Sequence, residues 1–192
     1  MALAEEKKFI CSRDVWVSSV KNKAEGWEDV PDDKAPKEYD TSMGKTSQLK
    51  LKTIQEMAIL DFDLSALKGR KVNGGWLYLH VVPAEKEVER QGLPFKRAHL
   101  IRLLGISTVS SDWVEGENNR SYHVDQKGHG ATFVEASWDR KPWAWVGSDL
   151  TDVTFSNGHT LQHHGEVEML DDNWVRLKVP AYMIEALITR DG

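Results

Sequence analysis

One cysteine, Cys11, stands in 192 residues. It excludes an internal disulfide and any thiolate metal cluster, so packing and hydrogen bonding must hold the fold. Long apolar runs are also missing. Nothing approaches the ~20 consecutive apolar residues of a membrane helix, and no membrane span is expected. The N-terminal Met1-Ala2-Leu3-Ala4-Glu5-Glu6-Lys7-Lys8 lacks the hydrophobic region of a signal peptide. It reads either as a cytoplasmic start or as a mature chain behind an initiator methionine. Positive charge is in deficit: 25 Lys and Arg against 30 Asp and Glu leave a net charge of -5. That balance argues against a general nucleic-acid binder. There is no Gly-rich phosphate loop, nucleophile elbow or Cys/His catalytic pattern, and no internal repeat or low-complexity tract.

What the chain does have is an apolar fraction of 40% and eight tryptophans. The first suffices for a core; the second is far above ordinary usage. A flat indole either fills a β core or lies on the C–H face of a sugar ring, and composition leaves both open.

Period-two alternation recurs along the chain and predicts strands. Phe9 to Val20 is a first strand with Val15 and Val17 on one face. Gln48 to Lys52 alternates again, burying Leu49 and Leu51. Ala58, Leu60, Phe62 and Leu64 alternate in a further strand, and Leu77, Leu79 and Val81 in the next. These two flank a short turn closed by Gly69, where a left-handed backbone costs least. Glu85 to Arg97 reads as a charged loop that Gly92 and Pro94 keep from becoming a helix. His99 to Ile106 is a strand with Ile101 and Leu103 on one side, and Ala131 to Trp138 another. Gly165 to Leu170 and Trp174 to Val179 form the last strands around the turn Asp171-Asp172-Asn173. Pro180 then opens a short helix, with Met183, Ile184, Leu187 and Ile188 on one face. The expectation is one β-sandwich domain over residues 1–192, with long loops at 21–47 and 115–160.

Several landmarks follow in order: Asp14-Val15-Trp16-Val17, Tyr39-Asp40-Thr41-Ser42-Met43-Gly44, then Ala58-Ile59-Leu60-Asp61-Phe62-Asp63-Leu64-Ser65-Ala66-Leu67 and Leu77-Tyr78-Leu79. Ile101-Arg102-Leu103-Leu104, Trp113-Val114-Glu115-Gly116 and Ala136-Ser137-Trp138-Asp139-Arg140-Lys141-Pro142 complete the series. This order, roughly from Asp14 to Leu187, resembles the DNRLRE-type carbohydrate-binding modules of bacterial surface and secreted polysaccharide-active proteins. The resemblance implies an all-β, jelly-roll-type β-sandwich with a short C-terminal helix. It also implies a polysaccharide ligand, a catalytic domain elsewhere in the parent protein, and an extracellular or cell-surface setting. Two departures stand out. The segment between Glu117 and Thr132 is longer than the family hairpin, and a strand that family members carry after the helix has no counterpart. The chain is therefore expected to be a fragment, or to take a final strand from a partner segment.

Candidate binding residues cluster in the long loops. Trp143 and Trp145, two apart in an extended segment, point the same way and offer a platform for neighbouring sugar rings, unless one or both cap the core. Trp113 and Trp138 read as core packing. Arg140, Lys141, Arg120 and Arg97 would pair with carboxylate or sulfate on an acidic polysaccharide, or are a solvated surface. Asp149 and Asp152 suit a structural calcium ion, while His159, His163 and His164 suggest zinc without matching a known ligand spacing. Arg120, Tyr122 and His123 are the nearest approach to a lyase centre, and Asp61, Asp63, Glu115, Glu117, Glu166 and Glu168 supply carboxylates for a hydrolase. Three functions follow: non-catalytic glycan binding, assembly through an open sheet edge, and a small polysaccharide lyase or hydrolase.

Overall fold

The computed structural model describes residues 5–23, 28–35, 37–52, 55–82, 88–90, 93–95, 101–109, 112–117, 130–137, 141–143 and 161–190. The described chain is mostly antiparallel β with one C-terminal helix. The strands are β1 (Cys11–Ser18), β2 (Glu56–Phe62), β3 (Gly75–His80), β4 (Val88–Arg90), β5 (Leu93–Phe95), β6 (Leu103–Ser107), β7 (Glu135–Ser137), β8 (Lys141–Pro142), β9 (Gln162–Met169) and β10 (Trp174–Val179), and the helix is α1 (Ala181–Arg190). They fall into two compact units, residues 1–66 with 109–159 and residues 67–108 with 160–192.

In the first unit β1 and β2 pair antiparallel, Val15 opposite Ile59 and Val17 opposite Met57, with an irregularity between Cys11 and Arg13. Val15, Val17, Ile59, Trp113, Ala131, Ala136 and Trp143 form its core. Both faces of β1 are covered, because Trp16 is also buried. Its indole N–H donates to Thr46 Oγ1 at 3.1 Å, and Lys50 Nζ lies 4.4 Å from the ring centroid. The alternation expected in β2 has the opposite phase: Ile59 is its buried residue, while Ala58, Leu60 and Phe62 are half-buried. The partner residues Val15 and Val17 decide this, because they lie opposite Ile59 and Met57 on the core face. Three backbone segments cross tightly at Gly44, Gly116 and Gly130. Gly116 has φ +87°, and a Cβ on it would come within 2.7 Å of Ser42 Oγ, so only glycine fits.

The second unit is a four-stranded antiparallel sheet in the order β3-β10-β9-β6. Val175 and Leu177 are buried on one face, where α1 also lies: Ile184 Cδ1 would be 3.1 Å from a Cβ on Gly75, and Met183 is buried. Tyr182 ties the helix to β9 by donating to the Gln162 carbonyl at 3.0 Å. The β9–β10 turn places Asp172 and Asn173 at φ +55° and +61°, a left-handed conformation that short polar side chains tolerate.

Several expectations are corrected. β2 and β3 do not flank one hairpin: β2 pairs with β1 and β3 with β10. Gln48 to Lys52 forms no strand beyond a single bridge from Lys52 to Glu56, and Leu51 is exposed; a stretch of this length has too few alternating positions to fix a ladder. Val88–Arg90 and Leu93–Phe95 pair antiparallel inside the stretch expected to be a loop; a proline that argues against a helix is still tolerated in a short edge strand. In β6, Leu103 is 66% exposed and Leu104 and Ile106 face inward, the reverse of the expected face.

Candidate ligand-binding face

One face of the second unit's sheet is left to solvent, and its residues follow from the pleat. Side chains two apart on a strand share a face, and residues paired across strands lie side by side. On β3 that face carries Trp76, Tyr78 and His80; on β10 it carries Lys178, Arg176 and Trp174, each opposite its β3 partner in that order. Trp76, Tyr78 and Trp174 are 38%, 46% and 42% exposed. Solvent-facing positions of an antiparallel sheet are ordinarily polar, so three large rings here are an anomaly of this sheet.

The rings are held, not loose. Arg176 Cζ lies 4.1 Å from the Trp76 ring centroid, a cation–π contact. From β9, Glu168 stands opposite Arg176. Its Oε2 accepts from Nε at 2.8 Å and from Nη2 at 2.7 Å. The hydrogen bond to Tyr78, and then Glu168, hold the Arg176 guanidinium above the usual arginine range. The His80 ring stacks obliquely on Trp174, centroids 5.1 Å apart at 58°. Trp76 and Trp174 are four residues apart in register, roughly 14 Å along the strands at 3.4 Å per residue. Where β9 and β6 pair, Arg102, Leu103, Glu166 and Val167 line a concavity of about 310 Å³.

This face lies on strands and not on the loops that carry the residues singled out from sequence, and its signal is in the alternation. Gly75-Trp76-Leu77-Tyr78-Leu79-His80 and Trp174-Val175-Arg176-Leu177-Lys178-Val179 each place aliphatic residues on one parity. The other parity, which should be merely polar, is aromatic and cationic.

The residues singled out from sequence fare differently. Trp143 is a core residue, 3% exposed, with its N–H donating to the Thr132 carbonyl at 3.0 Å. A ring enclosed in this way has no face for a sugar. Lys141 is exposed on β8. Trp145, Arg140, Arg120, Tyr122, His123, Arg97, Asp149, Asp152, Trp138 and His159 lie outside the described residues. Trp113 is buried, as read from sequence. His163 and His164 are adjacent on β9, opposite Ile106 and Gly105, so they face opposite sides of the sheet and cannot ligate one ion. Among the described residues no group of three or more His, Cys, Asp or Glu is placed to hold a metal.

In the first unit Arg13 and Asp61 are engaged within the fold. Arg13 donates to Asp61 Oδ2 through Nε at 2.9 Å and Nη2 at 2.6 Å, lies 4.4 Å from the Trp113 ring centroid and reaches the Trp113 carbonyl. Burial, and to a lesser degree Glu115, push the Asp14 carboxyl up. Burial likewise raises the Cys11 thiol, which donates to the Arg13 carbonyl; a raised thiol is a poor nucleophile. Among the described residues no helix is long and apolar enough to cross a membrane.

Comparison with known proteins adds no relative. A scan of family models, a search of curated proteins and a search of solved structures each found no match to the chain.

Proposed function

We propose that this protein is a non-catalytic carbohydrate-binding module that holds a larger enzyme or surface protein on a polysaccharide outside the cell. The observation carrying the reading is the solvent-facing aromatic row of Trp76, Tyr78 and Trp174. Flat rings pre-positioned on a rigid sheet lose little freedom on binding, and their apolar faces match the C–H faces of successive sugars. The resemblance to the DNRLRE modules supports the same reading and adds the jelly-roll arrangement. The polar groups interleaved with the rings supply hydrogen bonds to sugar hydroxyls, as a mostly apolar site with a few placed polar groups does.

Affinity electrophoresis through gels containing soluble polysaccharides tests the proposal. The wild type should be retarded by at least one of a neutral β-glucan, a mannan and polygalacturonate. Trp76→Ala and Trp174→Ala should each weaken the interaction by roughly thirty-fold, since truncating a central Trp costs about 2 kcal/mol or more. Retardation by none of the polymers, or retardation unaltered in the double variant, sinks the reading.

A second reading, assembly by strand addition, is favoured by the edge strand β3. Its sequence Gly-Trp-Leu-Tyr-Leu-His has no Lys, Glu or Pro, the devices that ordinarily blunt a sheet edge.

A further inference from the structure

Resting on the carbohydrate reading, we infer that Glu168 is a specificity-setting positioning residue that neutralises Arg176 and thereby tunes the aromatic face for uncharged glycans over anionic ones. The geometry behind this spans three strands. Arg176 on β10 is flanked by Trp76 and Tyr78 on β3 and by Glu168 on β9. Guanidinium donors aimed outward would form the natural fork for a uronate or sulfate group. Two of those donors, Nε and Nη2, are instead spent on Glu168 Oε2 at 2.8 and 2.7 Å, and the guanidinium also hydrogen-bonds Tyr78. The guanidinium carbon lies over the Trp76 indole, 4.1 Å from its centroid.

An incoming carboxylate therefore meets a carboxylate already in place. Glu168 is tethered beside Arg176, so it competes at a high effective concentration. Glu166 projects from the same exposed parity of the same strand and adds like-charge repulsion. A neutral sugar displaces nothing: it meets the free parts of the rings, with the ion pair fixing the indole beneath it. Glu168 touches no sugar in this scheme. It acts through Arg176.

The test compares the whole chain and its variants against a neutral β-glucan, a mannan and polygalacturonate. Glu168 is half exposed, so replacing it should leave folding intact, and circular dichroism melts confirm that for each variant. The wild type should favour the neutral polymers. Glu168→Gln should shift the polygalacturonate-to-neutral affinity ratio upward by up to about fivefold, the scale of one surface ion pair. Glu168→Asp should restore the wild-type ratio. Glu168→Gln/Arg176→Gln should abolish the gain, because the freed guanidinium is its source. Binding to none of the three polymers overturns the carbohydrate reading itself. Polygalacturonate bound as well as the neutral polymers by the wild type, or a ratio unmoved in Glu168→Gln, overturns this inference alone.

Discussion

Asp14 shows how a single side chain opposes the fold it belongs to. It sits on β1 with its carboxyl partly desolvated and within reach of the Glu115 charge, and both effects raise its pKa above the ordinary 3.8. The folded chain therefore holds the Asp14 proton more tightly than the unfolded chain does. Stability is highest when the group is protonated in both states, falls as pH rises from 3.8 through the raised folded value, and stays lower above it. Asp14→Asn should then raise the melting temperature at neutral pH, with the advantage shrinking to nothing below that window. Melts across an acid-to-neutral series check this, and an equal effect at every pH would refute it. Trp143 is the converse lesson. Its loop position and neighbouring Trp145 suggest a ligand platform, yet its ring is enclosed and its N–H satisfied internally. Sequence spacing gives a direction relative to a neighbour, never the identity of what lies on that side.

At the scale of elements, period two identified β1, β3, β9 and β10 and placed the turn at Asp171-Asp172-Asn173 correctly. It failed on phase. β2 turns Ile59 to the core instead of Leu60, and β6 turns Leu104 inward instead of Leu103. Alternation names two faces; only the partner strand says which one is covered, and a one-residue slip exchanges them. In β3 alternation separates the leucines from Trp76, Tyr78 and His80, but only pairing with β10 gathers that second parity into one face with Trp174 and Arg176. The same strand supports a separate prediction. If β3 recruits another strand, sedimentation should show mass rising with concentration, and His80→Lys should return the chain to monomer by charging the edge. Monomer at every concentration removes the assembly reading.

For the whole molecule, the net charge of -5 sets the long-range field. A polyanion approaches against repulsion that salt screens within ~10 Å at 0.1 M, whereas a neutral glycan feels none of it. Retardation by a neutral β-glucan should accordingly be insensitive to added salt. Any residual interaction with polygalacturonate should strengthen as salt rises, because screening relieves repulsion. Strong weakening of polygalacturonate binding by salt would instead point to a cationic contact, for which Lys178 on the same face is a candidate. The first unit contributes a packed core of Val15, Val17, Ile59, Trp113 and Trp143, while the second carries the exposed aromatic sheet.

By itself the sequence determined that this chain is rich in β structure, carries a short amphipathic helix after the last strand, and holds no internal disulfide. Those properties are local or compositional: alternation, turn residues and the presence of one cysteine are readable without neighbours. Tertiary structure decided which strands pair, which parity of each is buried, and which tryptophans reach solvent. Each of these depends on residues far apart in the chain, as when Glu168, Arg176, Trp76 and Tyr78 meet from three strands. Burial is a property of the partner as much as of the residue, and the partner is chosen only when the chain folds.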